Sequence, residues 1–133
     1  MAPRRVLIID DDKTLVTLMQ GLLRKAGYQI LVAFDGMSGF MIAQKERPDL
    51  ILLDLQMPAG GGEAVWKRLK ASGHTSGIPV VYVSATSSPG FAAEAEGQGA
   101  AGFIRKPFEP ETFVERVDDF FKRATGQQEA IKE

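Results

Sequence analysis

Four short apolar runs in this chain each end at a polar residue: Val6 to Ile9 at Asp10 and Asp11, Leu50 to Leu53 at Asp54, Val80 to Val83 at Ser84, and Gly102 to Arg105 at Lys106. Runs of this length suit strands, and the segments between them place apolar residues at helical spacing. The alternation predicts an α/β domain with a parallel sheet covered on both faces. After Asp12, a helix N-cap by residue type, Leu15, Leu18, Met19, Leu22 and Leu23 trace one apolar face until Gly27 stops the helix. Tyr28 to Phe34 reads as a second strand, Asp35-Gly36 as its exit turn and Met37 to Glu46 as a second helix. Arg47-Pro48 closes that helix, because the residue before proline disfavours helical geometry.

A third strand follows at Leu50, then a helix from Gly62 to Ala71 with Val65 and Leu69 inward. Ser72 to Gly77 reads as a loop and Ile78 to Val83 as the fourth strand, with Pro79 at its start. Pro89, Gly90, Gly97 and Gly99 punctuate the expected fourth helix between Ser87 and Gly102. Each interior glycine costs about 1 kcal/mol relative to alanine, so this helix should be short. The fifth helix starts at Pro110 and lines up Phe113, Val114, Val117, Phe120 and Phe121, of which Phe120 and Phe121 cannot face inward equally. One domain over residues 1–124 is expected, with a polar, fraying tail at 125–133.

Composition narrows the chemistry. A charged content of 25% and a net charge of −1 give no electrostatic reason for direct nucleic-acid binding. The absence of cysteine removes disulfides, thiolate metal sites and a cysteine nucleophile. The apolar stretches are too short to span a membrane, and Met1 to Arg5 leads straight into a strand, so a cytoplasmic protein is expected.

If the four runs are parallel neighbours, their carboxyl ends share the edge at which open α/β sheets bind ligands. Two carboxylates leaving the first strand would then meet one leaving the third, and like charges repel by about 4 kcal/mol at 4 Å under an effective dielectric near 20. Something positive must enter. An all-oxygen donor set with room for water suits Mg²⁺, with Mn²⁺ as a substitute, while the lack of cysteine and a single histidine exclude most zinc geometries. A cation and Lys106 around Asp54 are the parts needed to hold a phosphoryl group against an attacking carboxylate, with Ser84 as a hydrogen-bond donor. Asp54 is therefore read as the site of an aspartyl phosphate. His74, between glycines and hydroxyl residues, reads as an exposed loop residue.

Over residues 4 to about 124 the chain resembles the response-regulator receiver domains of two-component signalling. The matching stretches are Val6-Leu7-Ile8-Ile9-Asp10-Asp11-Asp12, Pro48-Asp49-Leu50-Ile51-Leu52-Leu53-Asp54-Leu55-Gln56-Met57-Pro58, Val80-Val81-Tyr82-Val83-Ser84-Ala85 and Gly102-Phe103-Ile104-Arg105-Lys106-Pro107-Phe108. The resemblance implies a flavodoxin-like, doubly wound five-stranded parallel sheet of order 2-1-3-4-5 with five helices, an order the family itself exemplifies. It implies Asp54 as phosphoacceptor, Asp11 and Asp54 as direct metal ligands, Asp10 holding a metal-bound water, and Gln56 offering its main-chain carbonyl. Lys106 would bind the phosphoryl group and precede a cis peptide to Pro107; Ser84 and Phe103 would be the switching hydroxyl and aromatic. Gln56 and Thr86 would neighbour the water that removes the phosphoryl group.

The implied partners are a sensor histidine kinase or histidine phosphotransfer protein as donor, and a downstream protein at the surface of the fourth helix, fifth strand and fifth helix. The chain would be a monomer or a phosphorylation-dependent dimer, and a weak catalyst on itself rather than a metabolic enzyme. Two departures stand out: Ala59-Gly60-Gly61-Gly62 where receivers carry a hydrophobic and an acidic residue, and the glycine-punctuated fourth helix. An aspartate-nucleophile phosphohydrolase would need a second aspartate where Gln56 stands. A flavin carrier would need backbone amides or hydroxyls where the loop after Ile9 is acidic. A phosphate-independent interaction module on the same fold is the remaining alternative.

Overall fold

A computed structural model describes residues 3–57, 61–85 and 95–132, with side chains as far as Arg123. Its strands are β1 (Arg5–Ile9), β2 (Gln29–Ala33), β3 (Leu50–Leu53), β4 (Val80–Ser84) and β5 (Gly102–Arg105). They form one five-stranded sheet of order β2-β1-β3-β4-β5, and each neighbouring pair is parallel. The helices are α1 (Lys13–Lys25), α2 (Gly36–Glu46), α3 (Gly61–Ala71) and α4 (Pro110–Lys132). No helix among the described residues is long and apolar enough to cross a membrane.

The side-chain period of two divides β1 between two cores. Leu7 and Ile9 face α2 and α3 with Leu53, Val65, Trp66 and Tyr82. Val6 and Ile8 face α1 and α4 with Met19, Leu52, Val83 and Phe113. Both faces of the central strands are thus covered, which explains their unbroken apolar runs.

Asp12 caps α1 by accepting the Leu15 amide at 3.0 Å. The buried line of α1 is Val16, Met19 and Leu23, while Leu15 and Leu22 are half-buried and Leu18 is 45% exposed. The expected face is corrected by rotation: Val16, three residues before Met19 and seven before Leu23, holds the centre, and Leu18 lies about 100° round from Met19. α2 ends at Arg47 in a left-handed conformation, φ 47°, immediately before Pro48. β4 begins at Val80, so the expected start is corrected: Ile78 and Pro79 precede the strand, and Pro79 contributes its carbonyl to the Ile51 amide at 3.0 Å. Proline has no N–H to give the ladder.

Most of the expected fourth helix lies at 86–94, outside the described residues; residues 95–97 are helical. α4 buries Phe113, Val117 and Phe121, and Phe120 lies half-buried over Gly102. Its backbone continues to Lys132, through the segment expected as a tail after residue 124.

Candidate functional site

In the β1–β3 register Ile9 faces Leu53, so Asp10 and Asp54 are the first residues beyond two adjacent strand ends. Main-chain bonds tie these exits together: the Asp54 amide donates to the Ile9 carbonyl at 3.0 Å, and the Asp10 amide to Ala33 at 3.1 Å. β4 and β5 are joined in the same way, the Lys106 amide donating to the Ser84 carbonyl at 2.9 Å. Four apolar runs therefore deliver Asp10, Asp11, Asp54, Ser84 and Lys106 to one edge.

Asp10 and Asp54 are buried and Asp11 is exposed, and an oxygen from each lies within 4.8 Å of the others. The Lys106 ammonium stands 2.8 Å from Asp10 Oδ2 and 3.6 Å from Asp54 Oδ1. Asp10 Oδ1 accepts the Asp12 amide at 2.9 Å, so both its oxygens are engaged. The Gln56 amide donates to Asp54 Oδ1 at 3.2 Å. Burial pushes the Asp54 carboxyl above its usual range; Asp10 and Asp11 push the same way, against the Gln56 amide and Lys106.

Three carboxylates against one ammonium leave an excess of negative charge at a site whose donors are all hard oxygens. These residues fit a small divalent cation such as Mg²⁺. Asp11, exposed and with an oxygen inside the cluster, is the most accessible of the three carboxylates. Ser84 is fully buried and its hydroxyl has no hydrogen-bond partner among the described residues, an arrangement with a cost unless an acceptor arrives. The Lys106–Pro107 peptide is cis. Phe103, half-buried, packs against the core that holds Trp66 and Tyr82, and Arg116 donates to its carbonyl at 2.6 Å. Thr86 lies outside the described residues. His74 is exposed, with Nδ1 2.7 Å from Arg47 Nη2 and away from the site.

α3 contributes to the site through contacts that the local sequence does not show. Gly61 has φ 65°, and a Cβ there would meet the Leu55 carbonyl oxygen at 2.3 Å. A Cβ at Gly62 would stand 2.3 Å from the Asp54 carbonyl oxygen. Gly61 and Gly62, which depart from the receiver pattern in the sequence, allow the first turn of α3 to press on the main chain of Asp54 and Leu55. Consecutive glycines before a helical pattern were the available signal.

The family model for the response regulator receiver domain matches residues 6–118. The master transcriptional regulator RpaA of Synechocystis is 35% identical over 96% of this chain, which spans about half (53%) of that protein. Protein PilH of Pseudomonas aeruginosa is 32% identical over 86% of this chain and 94% of its own length. The solved structure of chemotaxis protein CheY4 from Vibrio cholerae superposes with a TM-score of 0.82 at 30% identity, covering 90% of this chain and 99% of that one.

Proposed function

The chain belongs to the response regulator receiver domain family, and we propose that it is a phosphorylation-controlled switch in which Asp54 takes a phosphoryl group from a phosphohistidine. The observation that carries this reading is the meeting of three carboxylates within 4.8 Å beside the Lys106 ammonium, at the carboxyl edge of a parallel sheet.

In the proposed reaction Asp54 Oδ attacks phosphorus, a P–O bond forms, and the P–N bond to the donor imidazole breaks, leaving the nitrogen to take a proton. Gln56 holds Asp54 Oδ1 through its amide and so orients the carboxylate. Lys106 turns from Asp10 towards the phosphoryl oxygens, exchanging one anion for another. When bound, Mg²⁺ supplies charge neutralisation for those oxygens, with Asp11 and Asp54 as ligands, Asp10 behind them and the Gln56 carbonyl as a further donor. The Ser84 hydroxyl acquires the acceptor it lacks, and Phe103 follows on the core side of β5. The two states pre-exist, and the phosphoryl group shifts their populations.

A sensor histidine kinase or phosphotransfer protein is the proposed donor, a cytoplasmic location fits it, and the changing surface is β5, α4 and the segment before β5. An intact-mass measurement after incubation with Mg²⁺ and acetyl phosphate tests the reading. A hydroxylamine-labile phosphoryl adduct on the wild type and none on Asp54→Asn is expected. No adduct, or one that survives in Asp54→Asn, contradicts it.

A further inference from the structure

The sheet has a second edge, at the amino ends of its strands, and a hollow of about 340 Å³ lies there between the sheet and α4. Leu50, Pro79 and Ala101 line it at the starts of β3, β4 and β5, and Phe120 and Phe121 line it from α4. These strands are parallel, so this edge is opposite the one that carries the carboxylate cluster. The charge is also of the other sign. Among the described residues that line the hollow, Arg4 and Arg123 stand with one carboxylate, Asp49, which accepts the Arg5 amide at 2.8 Å. Two guanidiniums and one carboxylate leave a single positive charge in this lining.

Each guanidinium is laid over a ring. The Arg4 group stands 4.6 Å from the centre of the Phe121 ring, and the Arg123 group 4.9 Å from the centre of the Phe120 ring. Tyr28 holds Phe121 in turn: its ring stacks on Phe121 at 5.4 Å and its hydroxyl donates to Asp118 on the same helix. Phe120 rests on the main chain of β5, where a Cβ at Gly102 would stand 2.3 Å from its Cζ. The rings are thus held by the fold, and the arginines are placed by the rings. Stacking engages a guanidinium through its face, whereas a carboxylate is bound through its N–H edge, so one arginine can make both contacts. Apolar walls beside held rings suit a flat hydrocarbon body, and the volume is at the lower end of the range for small-molecule sites.

We infer that this hollow binds a small aromatic carboxylate, with its rings among Phe120, Leu50 and Pro79 and its carboxylate at the Arg4 and Arg123 guanidiniums. A monoanion matches the single positive charge of the lining. A ligand seated there touches α4 and the residue before β5 together, and so braces two elements of the proposed switch surface from the end remote from Asp54. The inference does not depend on the phosphoacceptor reading, because the described lining shares no residue with the carboxylate cluster.

Amide NMR spectra of the full chain at pH 7, titrated with naphthoate, test it. Saturable shifts should centre on Leu50, Ala101, Phe120 and Phe121 and leave Asp10, Asp11 and Asp54 unmoved. Naphthamide has the same rings without the charge and acetate the charge without the rings; each should bind about tenfold more weakly or worse. Arg4→Gln and Arg123→Gln, which replace exposed side chains, should each weaken naphthoate by about tenfold, the loss of one charge-assisted contact. Shifts that do not saturate at millimolar naphthoate, or that centre elsewhere, overturn the site. Equal binding of naphthoate and naphthamide, or unchanged affinity in either arginine variant, overturns the carboxylate assignment and with it the inference.

Discussion

Gly62 in the first turn of α3 lies against the main chain of Asp54, so closely that a Cβ at position 62 would stand 2.3 Å from the Asp54 carbonyl oxygen and 2.9 Å from Leu55 Cα. Both neighbours are backbone and cannot turn aside. The helix that follows the site is thereby held in direct contact with the strand exit that presents the candidate phosphoacceptor.

Gly62→Ala should therefore destabilise the protein although it improves helix propensity. The propensity gain is about 1 kcal/mol, whereas forcing extra volume into a packed position costs roughly 1–3 kcal/mol and here also displaces Asp54. Urea unfolding checks this, with Gly73→Ala, where a Cβ would meet nothing within 4 Å, as a near-neutral control.

Asp54 titrates above its usual value of 3.8, so the folded state holds its proton more tightly than the unfolded one. With νN greater than νU, stability falls as pH rises from that value through the folded pKa. In the metal-free protein Asp54→Asn removes this penalty, keeps an acceptor for the Gln56 amide and leaves Lys106 with Asp10. Its thermal midpoint at pH 7 should exceed that of the wild type, and the gap should close as the pH falls towards 3.8. A gap that does not change with pH would refute the linkage.

Mg²⁺ should stabilise the wild type by roughly 2.7 kcal/mol at a concentration of 100 Kd, because it binds the folded cluster and not the unfolded chain. Asp11→Asn should melt higher than wild type without Mg²⁺, having lost one repelling charge, and gain much less when Mg²⁺ is added. Paired thermal melts give both numbers, and an unchanged Mg²⁺ increment would remove Asp11 from the ligand set.

Ser84→Ala deletes a buried hydroxyl that has no partner among the described residues. An unsatisfied buried polar group costs about 1–3 kcal/mol, so the unphosphorylated variant should be at least as stable as wild type. Its response to phosphorylation should shrink. Fluorescence of Trp66, the single tryptophan, which packs 5.8 Å from the Tyr82 ring of β4, can read that response.

The sheet and the site were legible for the same reason. The apolar runs of β1, β3 and β4, buried on both faces, must stop where the strands leave the core, and Asp10, Asp54 and Ser84 stand at those stops, while Lys106 follows the edge strand β5. The face of α1 was harder to read, because leucines at 15, 18 and 22 compete with the line through Val16, Met19 and Leu23, and only packing against the sheet decides between them. Gly61 and Gly62 stood only as a departure from the receiver pattern, because their constraint comes from the Leu55 and Asp54 backbone, which the local sequence does not reveal. Lys106 was expected at the phosphoryl group; its 2.8 Å contact with Asp10 is a pairing between residues far apart in the chain that the local sequence does not reveal.

The identity of the phosphoacceptor is most directly measured by trapping it. An aspartyl phosphate is an acyl phosphate, and borohydride reduces it to homoserine, marking the residue that carried the group. After phosphorylation by acetyl phosphate with Mg²⁺, peptide mapping should find homoserine at position 54 and aspartate retained at positions 10 and 11. Homoserine at either of those positions, or at none of the three, would contradict the account.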